Sequence, residues 1–368
     1  MGGVQTYLCG IQNYSNNLMK LASLRNPLDF YKAKIKGNES IEKIKIFDFP
    51  YAKFEEILIL HNIILAKFWP VLYQSQRLIK KPVIYHEHGI AWHNPDRNYH
   101  KYLERISKVD SIIVNSYATY LLLRKKYSVQ NKIHIIKYPL YFSESYLKDN
   151  KNSIINFSNE LNKNKIIRIG FMGRLEAHKN PIFLMKVARN LKAKYGYDVK
   201  LDYLGIGSQE KFLKKKALEM KLSVNFAGLV DQKRKFVDKW DFAIYPSLRE
   251  PFGLVQGEIA LMNKLCLSSN VDGMPEAYPP SSEDLLIEMV EKKTNQNLQN
   301  NYQYIHKLNK FSKNYYPDVE DCTLKILKLI KNPSLYKKLL KNQKDFLIKN
   351  FCIEKHFKEI LEVLKIYE

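Results

Sequence analysis

Two glutamates eight positions apart, Glu250 and Glu258, bracket an apolar run holding two glycines in the stretch EPFGLVQGE. The preceding DFAIYPSLR reads as a buried strand entering a turn. That places Glu250 in a loop and Glu258 two turns into the following helix. Both carboxylates can then point to one cleft at different depths. A carboxylate accepts two hydroxyl hydrogen bonds, so vicinal diols are natural partners. The free N–H groups of a helix entered over Phe252, Gly253, Leu254 and Val255 suit phosphate or sugar oxygens. A nucleotide sugar offers two diols, on the ribose and on the transferred hexose. The plainer reading is one acid favoured by the helix dipole and one solvated acid.

A second stretch, GFMGRLEAHKNP, follows a strand and carries Gly170 and Gly173, then Arg174 and Lys179. Glycine lets backbone approach a ligand closely, and the next helix N-terminus favours an anion. A planar guanidinium fork and a lysine point charge suit a diphosphate. The alternative is a glycine turn followed by two solvated cations. A third stretch, HEHGIAWH, holds His86, His88 and His93, with His100 nearby. Strand alternation puts His86 and His88 on one face and Glu87 on the other. An H-x-H pair with a third histidine has the donor types for zinc. Histidines of a cleft or core are the favoured reading, so no metal is expected.

The elements that must position these residues alternate. IEKIKIFDF, EEILILHN, KPVIYHEHG, DSIIVNS and KIHIIKYP read as strands, with helical stretches between them. Residues 143–165, rich in Asn, Ser and Lys, read as a linker region. KIIRIGFMG, VKLDYLGIG, LSVNFAGLV, DFAIYPS and KLCLSSN then restart the alternation. Continuous apolar strands imply parallel sheets covered on both faces. The expected class is therefore α/β, with two doubly wound parallel-sheet, Rossmann-like domains. Expected bounds are 1–150, 166–345 and a C-terminal helix 346–368 packing back on the first domain. Residues from about 281 onward read as mostly helical. In such sheets ligands sit beyond the carboxyl ends of the strands, where the nominated residues lie. The 368-residue length and 45% apolar content allow two cores.

GRLEAHKNP, YLGIGSQ, NFAGLV and YPSLREPFGLVQGEIALM occur in an order and spacing that resemble family 4 of the retaining glycosyltransferases. The resemblance covers most of residues 166–276, and Glu250 and Glu258 meet that family's E-x7-E signature. It implies the GT-B fold, two Rossmann-like domains facing across a cleft. It implies that Arg174 and Lys179 hold the donor diphosphate, that Glu258 binds ribose hydroxyls and that Glu250 faces the donor sugar. The amides around Phe252, Gly253 and Leu254 would line the phosphate and sugar, close to Gly173. The amino-terminal half matches more loosely: Gly2 and Gly3 resemble the family's glycine loop, ILILHN ends near the cleft at His61 and Asn62, and PVIYHEHG carries the sugar-side histidine to His88. The implied reaction is metal-independent hexosyl transfer from a UDP- or GDP-linked sugar, with retention by same-face attack and without a further cofactor. The implied acceptor is a glycan or lipid-linked glycan of surface polysaccharide biosynthesis, such as lipopolysaccharide or capsule. Two departures stand out. IHIIKYPL lacks the family's Asn-Gly, and Met1 directly precedes Gly2, so the family's first strand is expected to be missing.

Sixty Lys and Arg against 37 Asp and Glu leave a formal +23. That balance favours an anionic partner. The excess is spread over both halves without a basic arm, which disfavours a nucleic-acid partner. LAKFWPVLYQSQRLIKK and MKLASLRNPLDFYKAKIK could rest on an anionic membrane surface, although packing of an amphipathic helix on its sheet explains either alone. In the first of them Pro70 is expected to break or kink the helix. Four scattered cysteines imply a reducing compartment. The start shows no signal-peptide pattern and no run is long and apolar enough to span a bilayer, so a cytoplasmic protein, peripheral on the inner membrane face, is expected. Three rivals remain: a nucleotide-sugar epimerase of the same fold, a basic nucleic-acid-binding protein, and a zinc hydrolase built on His86, His88 and His93.

Overall fold

The computed structural model describes residues 11, 22–23, 42–43, 58–61, 69–78, 80, 82–92, 99–140, 165–292 and 302–367. Gly2, Gly3, Asn62 and His93 lie outside these residues. The chain divides into two units, one of Met1–Tyr141 with Phe351–Glu368 and one of Phe142–Asn350.

In the first unit, β1 (Ala22–Ser23) pairs in parallel with β2 (Glu42–Lys43). A second parallel sheet holds β3 (Leu58–His61), β4 (Val83–Glu87), β5 (Ser111–Val114) and β6 (Lys132–Ile135) in chain order. Every residue of β4 and β5 is buried, the state that continuous Val and Ile runs of a parallel sheet require. Pro70 does not break its helix, which runs Trp69–Leu78 with Pro70 as second residue. There the missing N–H has no intrahelical partner to lose, so the proline starts the helix.

The helix Ile353–Lys365 belongs to this unit and buries Phe357, Ile360 and Val363. Leu140 N–H donates to the Phe351 carbonyl at 2.8 Å, and His356 Nδ1–H donates to the Lys137 carbonyl at 2.8 Å. Burial pulls the His356 pKa down to about 4, against the opposing Lys137 carbonyl. The folded state thus favours neutral imidazole. Its contribution is complete above the ordinary histidine value of about 6.5 and is lost as pH falls toward about 4. Amide exchange along 353–365, corrected for intrinsic rates, should therefore accelerate over that interval, and His356→Gln should flatten the response. Equal pH dependence in both proteins would show that His356 is not the titrating anchor.

The second unit is a six-stranded parallel sheet of β7 (Ile166–Met172), β8 (Asp198–Leu204), β9 (Ser223–Gly228), β10 (Phe242–Tyr245), β11 (Leu265–Ser269) and β12 (Leu286–Ile287). Its spatial order is β12-β11-β10-β7-β8-β9. The chain winds outward from β7 to β9, returns, and winds the other way from β10. The reversal falls between β7 and β10, and ligands of such sheets bind beyond the strand ends at that point. The expectation of a mostly helical region after 281 fails at 286–291 and 303–317. There short antiparallel pairs join 289–291 with 315–317 and 303–305 with 310–312. Strands of three residues are too short to show a period. Helices follow at Val319–Lys331 and Pro333–Asn350.

Candidate functional site

Two loops meet at the reversal. The loop after β7 begins at Gly173, whose N–H donates to the Leu204 carbonyl at 2.9 Å. A Cβ on Gly205 would lie 2.0 Å from the Gly173 carbonyl oxygen, and Gly205 has φ 141°, so only glycine lets the loops after β7 and β8 touch. Leu175 N–H to the Ile206 carbonyl (3.0 Å) and Gln209 N–H to the Leu175 carbonyl (2.8 Å) continue the seam. A short turn, Ala177–Lys179, closes at Asn180 in the left-handed region. Asn180 Nδ2 donates to the Pro246 carbonyl at 3.3 Å, and Leu248 N–H donates to the His178 carbonyl at 2.8 Å. These bonds fasten the loop after β7 to the loop after β10.

The fastening brings Lys179 to Glu250. Lys179 Nζ is hydrogen-bonded to Glu250 Oε2, and Tyr245 Oη donates to the same oxygen at 3.0 Å. Both charged side chains are nearly buried, at 12% and 13% exposure. The ammonium also lies 5.3 Å from the Tyr245 ring centroid, a cation–π distance. Burial alone would lower the Lys179 pKa, but the Glu250 carboxylate and Tyr245 outweigh it and the net shift is upward. Lys179 therefore carries a full positive charge. Burial, then the Glu250 carboxylate, push the Tyr245 hydroxyl up to about 12.

Asp272 holds the backbone of this acid. Its Oδ2 accepts from Glu250 N–H at 3.0 Å, its Oδ1 from Tyr304 N–H at 2.8 Å, and Gly273 N–H returns to the Glu250 carbonyl at 3.1 Å. Asp272 is fully buried and adopts φ 50°. Burial raises its pKa to about 7, against the pull of Arg249 and the two backbone donors.

After Glu250, Phe252 packs inward at 1% exposure and Gly253 takes φ 79°. A Cβ at Gly253 would fall 2.8 Å from Gln256 Oε1. This positive-φ step precedes the helix Val255–Leu261, capped by Leu254. Glu258 therefore stands on the first turn of the helix, not the second as expected. Its carboxylate pairs with Lys233 at 2.8 Å and remains one-third exposed. Arg174 is exposed on the loop after β7. Lys179 and Glu250 are thus joined directly, whereas Glu258 engages a different lysine.

His88 belongs to the first unit and follows β4. Its ring lies 4.1 Å from that of His86 and 5.5 Å from that of Tyr138, whose hydroxyl is hydrogen-bonded to His88 Nδ1. Glu87 turns the other way, as alternation requires, accepting from Tyr102 Oη at 2.8 Å and Tyr85 Oη at 3.1 Å. Among the described residues no group of three or more His, Cys, Asp and Glu could hold a metal ion. Sequence reasoning missed Tyr245, Asp272 and Tyr138. Tyr245 ends a strand beside the first glutamate, a position that could have marked it. Nothing in VDGMPE singles out Asp272.

Residues 152–294 match the family model described as Glycosyl transferases group 1. No curated protein matches the chain significantly in sequence. Among solved structures, HepE of Anabaena in complex with UDP-glucose superposes with a TM-score of 0.73 at 16% identity, over 99% of this chain and 96% of that one. A glycosyltransferase from Rickettsia africae gives 0.71 at 17% identity, over 100% and 95%. Sucrose-phosphate synthase from Thermosynechococcus elongatus gives 0.67 at 14% identity, over 99% and 93%. The chain has the fold of the GT-B glycosyltransferases, and within it residues 152–294 carry the sequence pattern of glycosyl transferases group 1.

Proposed function

We propose that the chain is a retaining hexosyltransferase of family 4 that moves a sugar from a UDP- or GDP-linked donor to a glycan or lipid-linked glycan in surface polysaccharide biosynthesis. The observation that carries this is the Lys179–Glu250–Tyr245 cluster at the point of strand reversal. A charged lysine there can stabilise a departing phosphate, with Arg174 on the same loop. Glu250 is assigned to the sugar hydroxyls, Glu258 to the ribose, and the backbone N–H groups from Phe252 to Leu254 to phosphate and sugar oxygens. His88 is assigned to the donor sugar by family resemblance. The two cations meet the diphosphate charge, so neither metal nor cofactor is assigned a step. The UDP-glucose complex of HepE supports a nucleotide-sugar donor. The formal +23 supports work at an anionic membrane surface; no helix among the described residues is long and apolar enough to cross a membrane.

Thermal-shift measurements with UDP-, GDP- and ADP-sugars test the donor assignment. A donor at 100 times its dissociation constant should stabilise the protein by about 2.7 kcal/mol. No shift with any of the three, together with salt-sensitive binding to random duplex DNA, would replace this reading by the nucleic-acid one. A donor-dependent larger glycoside, rather than an isomer of the donor, separates transfer from epimerisation.

A further inference from the structure

We infer that Asp272 is a positioning residue for Glu250, fixing the backbone of that acid from outside its own loop by tying it to the strand Gln303–Ile305. The consequence for turnover rests on the reading of Glu250 as a donor-sugar contact; the tie itself does not.

Each polar group of Asp272 is engaged. Its two carboxylate oxygens accept from Glu250 N–H and Tyr304 N–H. Its own N–H donates to the Tyr304 carbonyl at 3.0 Å, and its carbonyl accepts from His306 Nε2–H at 2.6 Å. With the bond from Gly273 N–H to the Glu250 carbonyl, the N–H and the C=O of Glu250 are both held by the pair 272–273. Lys179 and Tyr245, by contrast, bond the Glu250 carboxylate. The same strand ties the loop after β10 a second time. Gln303 is buried, and its Nε2 donates to the Leu248 carbonyl at 2.6 Å and to the Tyr315 carbonyl at 3.0 Å. Its Oε1 accepts from Tyr315 N–H at 3.0 Å. One strand thus braces Leu248 directly and Glu250 through Asp272.

The backbone shows what the aspartate supplies. At φ 50° a glycine would sit without steric cost, whereas a side chain is disfavoured. What aspartate adds there is a carboxylate that accepts two N–H bonds at once. A protonated carboxyl turns one oxygen into an O–H and loses that capacity. Burial places this change at about 7. The carboxyl is faced by Arg249 and Glu250 from the loop after β10 and by the Tyr304 amide from the strand. His306, with Glu276 near it, is pushed by burial below the ordinary histidine value of 6.5. The tie is therefore complete above about 7 and loosens as pH falls through that value.

The test uses Asp272→Asn, which keeps the size and one acceptor but cannot ionise, and Asp272→Gly, which suits the backbone and removes both acceptors. Amide exchange of the full chain at single-residue resolution, corrected for intrinsic rates, should accelerate at Glu250 and Tyr304 in both variants and stay unchanged along β10. In the wild-type chain the Glu250 amide should also accelerate as pH falls through about 7, and in Asp272→Asn it should not. Unchanged protection of Glu250 in Asp272→Gly, or one pH response shared by the wild-type chain and Asp272→Asn, overturns the positioning role. With UDP-glucose as probe, Asp272→Asn should lower kcat about tenfold, the worth of one hydrogen bond, at unchanged affinity for UDP. In a Glu250→Gln background the same change should have no further effect, because its action runs through the Glu250 carboxylate. If Glu250→Gln leaves turnover unchanged, the sugar-contact reading falls and the exchange rates alone decide the role of Asp272. If Glu250→Gln lowers turnover and Asp272→Asn adds its full loss in that background, the inference fails alone.

Discussion

Lys179→Ala and Arg174→Ala should each reduce turnover of a nucleotide sugar by a factor of order 10² or more, since each removes a charge-assisted contact that strengthens as the diphosphate departs. The two differ in what else they do. Arg174 is exposed, so its loss should leave stability nearly unchanged. Lys179 is the counter-charge of a nearly buried Glu250. Removing one partner of such a pair strands a charge and costs about 3–5 kcal/mol. Lys179→Ala should therefore lower the melting temperature as well as activity. Neutralising both partners, Lys179→Gln with Glu250→Gln, should restore most of the stability and none of the turnover. Near-normal turnover in both single variants would remove the donor-phosphate assignment, whatever happens to stability.

Glu250→Gln and Glu258→Gln should separate the two halves of the donor. Glutamine keeps the size but loses the charge and half the acceptor capacity. If Glu258 holds ribose, its change should weaken binding of free UDP as well as of UDP-glucose. If Glu250 faces the sugar, its change should spare UDP and weaken only the sugar-bearing ligand, with the larger loss in kcat. Calorimetric titration of both variants with UDP and UDP-glucose reads the split. Equal losses of UDP affinity would contradict the division. The structure gives a reason to expect asymmetry: Glu250 is enclosed by Lys179, Tyr245 and the Asp272 backbone clamp, while Glu258 is partly open beside Lys233.

Most of the second unit's sheet is legible in the sequence because apolar runs, or apolar residues alternating with polar ones, recur between turn residues. IIRIGFM and FAIY carry the first signal, and DVKLDYL, with Val199, Leu201 and Tyr203 buried, carries the second. The pairing of His86 with His88 and the opposite turn of Glu87 follow from period two alone. The direct bond between Lys179 and Glu250 does not follow, because two cross-ties, Asn180 to Pro246 and Leu248 to His178, create it over some seventy residues of separation. Asp272 is invisible for a related reason. Its role depends on a left-handed backbone and two amides from distant segments, and neither leaves a local pattern. Glu258 lands one turn early because the Gly253 conformation is a property of the loop, not of the helix that sequence periodicity detects.

The first unit is built from two separated stretches of chain, with Phe142–Asn350 made in between. At synthesis rates of roughly 5–20 residues per second, about 10–40 s pass before Phe351 and His356 emerge from the ribosome. Until then the His356 ring and the Phe351 carbonyl, which bond the Lys137 carbonyl and the Leu140 N–H, are not yet in place. The second unit, contiguous in the chain, can complete its sheet first. Order of manufacture and order of numbering are therefore opposed: the amino-terminal unit is begun first and finished last. Nascent chains arrested after Asn350 should protect the second unit from proteolysis while leaving the segment around Tyr138 open to cleavage.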